Sequence, residues 1–342
     1  MKLKTAELKQ FKQNASFIKT RGIIPILGYL KVDNGTITKT SLENFYTQKI
    51  ECKGSVLLDE VQLYNFLAKT PEPTIDIAVK DGRVFISDGG TTPKVSFQEQ
   101  EFSVFPALKS VGEEEKYSIS NDVFCAINFA SKYTDSMDVP DARAHVFVGD
   151  NMVFGGNGII CYTEKFKENL PKMVILKDVA QVIGKFNEAS FSENDNWFFF
   201  ETEIGTYGFI KSTFPYTDMS KLISYSKDEY AFEVDKVDLL NFSDICVSAS
   251  ISKLKTATLS VKSNKLFMQM EDPDFNVDVN HSIPIGDGSM KEEFTFNPVM
   301  MSTMLNNIPD TELTCYEKPK ALIFTGPSGF SSIIQKLALI NN

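Results

Sequence analysis

One pattern returns three times along the chain, and it limits the possible folds more than any single motif does. A short apolar strand runs into a polar residue that can cap a helix, and an amphipathic helix follows. Leu3 leads to Thr5 and a helix through about residue 20. Tyr117-Ser118-Ile119 leads to Ser120 or Asn121 and a helix through about 133. The segment from Tyr230 to Val234 leads to Asp235 and a helix through about 247. The starts fall at 5, 120 and 235, and a third of 342 residues is 114. Three equal units therefore fit the length almost without remainder.

A second helix recurs inside each unit, opened by Leu58-Asp59-Glu60, by Leu176-Lys177-Asp178 and by Asn297-Pro298-Val299, the last with proline at the first helical position. Between the helices lie turn dipeptides flanked by alternating apolar residues: Asn34-Gly35, Asp81-Gly82, Asp150-Asn151 and Ser263-Asn264. These are hairpin signals. Units one and two each close on a Phe-Pro pair, Phe105-Pro106 and Phe214-Pro215, followed by polar connectors that include Glu113-Glu114-Glu115. The boundaries read as 1–114, 115–227 and 228–342. The class is α+β with antiparallel sheets, two helices to a unit, and the repeat is too long for a solenoid.

Composition excludes several alternatives. No apolar run approaches the ~18 residues a bilayer span needs, and the lysine-punctuated N-terminus lacks a signal-peptide core. Five well-separated cysteines, Cys52, Cys125, Cys161, Cys246 and Cys315, read as free buried thiols in a reducing, cytoplasmic compartment, with neither a disulfide framework nor a metal site. There is no phosphate-binding P-loop and no GxGxxG opening a helix. Gly155-Gly156-Asn157-Gly158 is followed by Ile159-Ile160 and reads as a strand-to-strand turn. Trp197-Phe198-Phe199-Phe200, which holds the single tryptophan, reads as a buried strand. No cofactor is expected.

With the repeat in place, local segments acquire meaning. Arg21-Gly22-Ile23-Ile24-Pro25-Ile26-Leu27-Gly28, Thr40-Ser41-Leu42-Glu43, the two Phe-Pro unit ends and the apolar C-terminal stretch from Ser332 to Leu339 together resemble the bacterial-type DNA polymerase III beta subunit, the sliding clamp. The resemblance spans the whole chain. It implies three processivity-clamp domains forming half of a six-domain ring, in which a homodimer encircles duplex DNA and tethers a polymerase without catalysing a reaction. Implied partners are double-stranded DNA, bound without regard to sequence, and a polymerase and clamp loader that bind through short peptides. No membrane is implied. Two segments depart from the family pattern: Asn157-Gly158-Ile159-Ile160-Cys161, and Gln335-Lys336-Leu337-Ala338. Such divergence suits a phage or mobile-element clamp.

Net charge is −10, yet a ring can concentrate its cations on one face. In the first helix Leu8, Phe11, Ala15 and Ile18 form an apolar stripe, and Lys9, Lys12, Ser16 and Lys19 a parallel basic one, with Arg21 following. These lysines and Arg21, with Lys132, Lys253 and Lys255, are the expected phosphate contacts. The other helices are poor in cations, so topological closure should supply most of the retention on DNA. The resemblance also implies a partner-peptide pocket at Gly158, Ile159, Cys161, Leu222, Ile334, Gln335, Leu337 and Leu339; packing of the last strand into the core is the competing reading of these residues. Two other functions stay open at this point. One is a hydrolase or transferase built on Asp141-Ala142-Arg143 with His145, and the other is a β-rich viral structural protein.

Overall fold

The computed structural model describes residues 1–20, 24–90, 93–108, 116–136, 141–217, 224–249, 255–272 and 275–337. Short 3-10 turns aside, these residues run through one order of elements three times. The first pass is β1 (Lys2–Lys4), α1 (Thr5–Asn14), β2 (Tyr29–Asp33), β3 (Thr36–Thr40), β4 (Asn44–Lys49), β5 (Ser55–Asp59), α2 (Glu60–Leu67), β6 (Thr74–Lys80), β7 (Arg83–Ser87) and β8 (Val95–Gln98). The second is β9 (Tyr117–Ile119), α3 (Asn121–Lys132), β10 (His145–Gly149), β11 (Met152–Gly156), β12 (Ile160–Lys165), β13 (Met173–Leu176), α4 (Lys177–Ile183), β14 (Ala189–Glu193), β15 (Trp197–Glu201) and β16 (Gly205–Ile210). The third is β17 (Tyr230–Asp235), α5 (Lys236–Ala249), β18 (Ala257–Lys262), β19 (Lys265–Asp272), β20 (Val277–Pro284), β21 (Phe294–Phe296), α6 (Pro298–Asn306), β22 (Glu312–Lys318), β23 (Ala321–Thr325) and β24 (Phe330–Gln335).

The expected turns are where the sequence places them. Asn34 and Gly35, Asp81 and Gly82, Asp150 and Asn151, and Ser263 and Asn264 all have positive φ, the backbone that two-residue hairpin loops require. Asp59 and Asn297 cap α2 and α6, their carboxylate or amide oxygens accepting from Gln62 N–H and from Val299 and Met300 N–H. The helix from Thr5 is shorter than its stripe predicts. It stops at Asn14, and Thr5 is its first residue, with its hydroxyl donating to the Glu72 carbonyl. The following turn lets Phe17 pack on Tyr207 and Phe209 at 6.0 and 5.5 Å. That aromatic contact outweighs another turn built on Asn14 and Ser16, both middling helix formers.

The chain divides into two compact units. One comprises Met1–Ser120 and Asn187–Lys211. It holds a four-stranded sheet, β1-β6-β7-β8, and an eight-stranded sheet, β5-β2-β3-β4-β16-β15-β14-β9. Leu8 and Phe11 of α1 are fully buried, each burial contributing roughly 1.5–3 kcal/mol, and Phe11 stacks on Tyr46 at 5.4 Å. The other unit comprises Asn121–Phe186 and Ser212–Asn342. Its sheets are β13-β10-β11-β12-β24-β23-β22-β17 and β20-β19-β18-β21. There α3 lies on β10–β12, and α6 on β12 and β24. Tyr133, just past α3, is buried and donates to the Met304 carbonyl at 2.9 Å, with Ser332 Oγ 3.2 Å away. Burial pushes its phenol above the usual range. The second pass thus divides its strands between the units, and its last strand joins the sheet begun by the first pass.

No helix among the described residues is long and apolar enough to cross a membrane. The cysteines depart from the sequence reading. Cys246 and Cys315 are buried, Cys52 and Cys161 half-buried, and Cys125 is exposed, because it falls on the outer side of α3. Burial pushes the thiols of Cys161 and Cys246 up to about 12, and it raises that of Cys315 as well. A thiol reagent added to the folded protein should therefore modify Cys125 well before Cys161, Cys246 or Cys315. Mass spectrometry after a short exposure checks this, and equal labelling of Cys246 would contradict it.

Candidate nucleic-acid interface and apolar cluster

The basic stripe of the first helix survives its shortening. Leu8, Phe11, Ala15 and Ile18 are buried, whereas Lys9, Lys12 and Lys19 are exposed. Lys9 and Lys12 stand on α1, and Lys19 on the segment after it. The Lys12 ammonium lies 4.6 Å from the centre of the Tyr64 ring, an attraction that holds the side chain without neutralising it. Lys4, by contrast, is paired with Glu51 at 2.6 Å and Glu7 at 3.7 Å. Among the described residues, Lys9 and Lys19 form no ion pair. This is a surface of exposed cations, suited to phosphates in any sequence context.

The remaining expected cations do not extend that surface evenly. Lys132 is exposed at the end of α3, its ammonium 4.8 Å from the Phe129 ring centre. Lys255 turns inward and donates to the Val247 carbonyl in the last turn of α5, so it caps a helix end and is not a free cation. Lys236 likewise donates to the Ile308 carbonyl at 2.9 Å. Val237, Asn241, Asp244, Ile245 and Ser248 make up the exposed side of α5. Arg21 and Lys253 lie outside the described residues.

The expected pocket residues are separated by strand parity. Ile160 pairs with Ile334, and Cys161 with Ile333. Neighbours along a strand point to opposite faces, so Cys161 and Ile334 stand on opposite faces of one sheet. Ile334 is fully buried, on the face where Tyr162 packs against Tyr133 at 5.5 Å; there the core reading is correct. The other face carries an apolar cluster of Met152, Ile323 and Ile333, with Cys161, Tyr316 and Ala321 packed against it. Sequence reasoning missed Met152, Ile333 and Tyr316. Alternation along Phe330–Gln335 puts Phe330, Ser332 and Ile334 on one face and so leaves Ile333 on the other, with Cys161.

Gly158 forms the turn beside this cluster. Its φ of +88° favours glycine, and the Asn157 side chain accepts from Ile159 and Ile160 N–H, both at 3.0 Å. The ladder continues one step past the strand, with Gln335 N–H donating to the half-buried Ile159's carbonyl at 2.8 Å. Gln335 is exposed and Leu337 half-buried. Leu337 N–H donates to the Thr295 carbonyl of β21 at 2.9 Å, which carries the chain toward the four-stranded sheet. Leu222 and Leu339 lie outside the described residues.

The Asp141–His145 segment is built as a structural corner. Asp141 accepts from Arg143 N–H at 2.8 Å and from its guanidinium at 2.8 and 3.0 Å. That guanidinium holds the Asp141 carboxyl below its ordinary range. His145 is 1% exposed. Its Nδ1 faces the Asp141 carbonyl, its Nε2 lies 2.8 Å from Ser212 Oγ, and its ring stacks on Phe214 at 5.1 Å. The imidazole thus fastens the Phe214-Pro215 connector to β10. Among the described residues, no group of three or more His, Cys, Asp or Glu side chains could hold a metal ion.

No protein-family model matches the sequence, and no curated protein does. Solved structures do match it. The DNA polymerase III subunit beta of Pseudomonas aeruginosa is 13% identical, with a TM-score of 0.86 over 99% of this chain and 100% of that one. The DNA polymerase sliding clamp of Bacillus subtilis is 16% identical, at 0.85 over 98% of each chain. The beta subunit from the DNA polymerase of Streptococcus pyogenes is 14% identical, at 0.84 over 98% and 99%. With nearly complete coverage on both sides, the chain has the fold of a DNA polymerase III beta-subunit sliding clamp from end to end.

Proposed function

We propose that this protein is a DNA sliding clamp: a non-catalytic, ring-shaped homodimer that encircles duplex DNA and tethers a replicative polymerase. Three clamp domains, 1–114, 115–227 and 228–342, make up each subunit. The observation that carries this reading is the way the sheets end. In each eight-stranded sheet, the last strand of one pass pairs with the fourth strand of the preceding pass: β16 with β4, and β24 with β12. The corresponding strands left over are β8 and β20, and each is an edge of a four-stranded sheet. The other edge strands, β1, β9 and β17 together with β5, β13 and β21, are edges in all three passes. A second copy supplies the missing neighbour at both ends, β8 against the partner's β20, and the two contacts close the assembly. Val95 and Phe97 on β8, and Val277 and Val279 on β20, are only half-buried at these edges, as strands awaiting a neighbour are.

DNA then meets the ring through Lys9, Lys12, Lys19 and Lys132, and Arg21, which follows them in sequence, is a further phosphate contact. A polymerase and a loader bind through short peptides, for which the apolar cluster around Cys161 and Ile333 is the site. Changing Lys9, Lys12 and Lys19 together to Glu tests the DNA face. These side chains are exposed, so the melting transition should stay in place while retention on circular DNA falls by at least tenfold at low salt. The slope of binding against salt should also flatten. Wild-type retention across the salt series would show that this face does not meet DNA.

A further inference from the structure

At one end of the eight-stranded sheet of the first unit, two exposed aliphatic side chains, Ile210 and Leu42, adjoin an aromatic shelf whose outer member, Trp197, is half-buried. Trp197 of β15 pairs with Ile210 of β16, and Ile210 N–H donates to the Glu43 carbonyl just before β4. One step inward on the same face, Phe199 pairs with Gly208, and Gly208 with Phe45. The Phe45 ring lies directly over Gly208, where a Cβ would come within 2.0 Å of it. From there the ring reaches Trp197 and Phe199, at centroid distances of 5.6 and 6.2 Å. Phe45 and Phe199 are buried, and Trp197 is half-buried. Ile210 is 48% exposed and Leu42, in the turn into β4, 46%. Leu42 also has φ of +74°, a conformation that bulky L-residues avoid. Its N–H donates to Thr40 Oγ1, which keeps it there.

The rim of the shelf is acidic. Glu43 and Asp195 are exposed and form no ion pair among the described residues. Lys211, the cation next to Ile210 in sequence, is bound to Glu193 at 2.5 Å, and its ammonium lies over Phe198, on the opposite face from Trp197. An apolar surface centred on a tryptophan and edged by charge has the composition of a recognition site.

We propose that the Trp197–Ile210–Leu42 shelf is a peptide-docking site for an extended segment with an apolar anchor flanked by lysine or arginine. The anchor covers Trp197 and Ile210, and the basic flanks meet Glu43 and Asp195. Charge complementarity selects this occupant over an acidic peptide. The proposal stands on the first unit alone and is independent of ring closure.

Trp197 is the protein's only tryptophan, so its emission reports on this site. The probe is a blocked peptide with a leucine and a phenylalanine between paired lysines, titrated into the full chain, with a glutamate-flanked counterpart as control. The expected result is a saturable change in emission with the lysine peptide and at least tenfold weaker binding of the glutamate peptide. Ile210→Asp should weaken binding by about tenfold or more with the thermal transition retained. The double change Glu43→Lys and Asp195→Lys should reverse the charge preference while leaving the aromatic shelf intact. No saturable change up to ~1 mM peptide would overturn the proposal. So would wild-type affinity in folded Ile210→Asp, because attraction to acidic charge alone would then explain the binding.

Discussion

Phe97→Asp should turn the proposed dimer into a monomer. Phe97 pairs with Val84 on β7, and Val84 is fully buried, so Phe97 lies on the core side of its sheet at the edge. In the proposed assembly a partner's β20 lies beside it, and Val279 on that strand, paired with buried Met270, is likewise on the core side of its sheet. Because the proposed ring has two equivalent junctions, one substitution acts twice. Losing ~2 kcal/mol of apolar burial at each junction amounts to about 4 kcal/mol, roughly a thousandfold in the dimer dissociation constant. Val279→Asp, on the opposite strand of the same junction, should have the same effect. Sedimentation at micromolar concentration reads the outcome. A dimer that persists in both folded variants would mean that these edges do not meet, and the ring would need another construction.

Gly155→Val should be the most damaging single change within the second unit. A Cβ at Gly155 would lie 2.5 Å from the Ala130 carbonyl oxygen and 3.0 Å from the Ala130 Cβ. Neither can step aside, since Ala130 belongs to α3 and is fully buried. The helix must lift from the sheet, taking Ile127 and Phe124 with it. We expect a loss of ~3 kcal/mol or more, seen as a fall in melting temperature of about 6–12 °C for a unit of this size. Gly286→Ala is the matched control. Nothing lies within 4 Å of a Cβ there, and its change should stay within about 0.5 kcal/mol. Similar melting for the two variants would refute the close-approach argument.

The sequence foretells the features that depend on neighbours a few residues away. The Asn34-Gly35 and Ser263-Asn264 turns need only their own backbone preferences, and Asn297 caps α6 with its own side chain. The stripe of Leu8, Phe11, Ala15 and Ile18 is buried as its spacing requires. What escapes a linear reading is set by distant chain. The end of α1 is decided by Tyr207 and Phe209, nearly two hundred residues later in the sequence. The direction of Lys255 is decided by an open carbonyl at Val247. Ile334 and Cys161 both read as apolar, and only the register of β12 on β24 sends them to opposite faces. The candidate site was therefore legible as a set of segments but not as a set of facing side chains.

The two compact units interleave along the chain, and this has a consequence for synthesis. The first unit includes Asn187–Lys211, so its large sheet cannot finish until β16 has left the ribosome. By then Asn121–Phe186 has already emerged, carrying β12, whose neighbour β24 is made more than a hundred residues later. For more than a hundred residues of translation, β12 presents an unpaired edge, and the Tyr133 hydroxyl lacks both Met304 and Ser332. A nascent chain from which residue 211 has just emerged should thus carry one finished unit and one exposed strand edge, a species prone to pair with its own kind. The window between those two moments is where a holding chaperone would act on this protein.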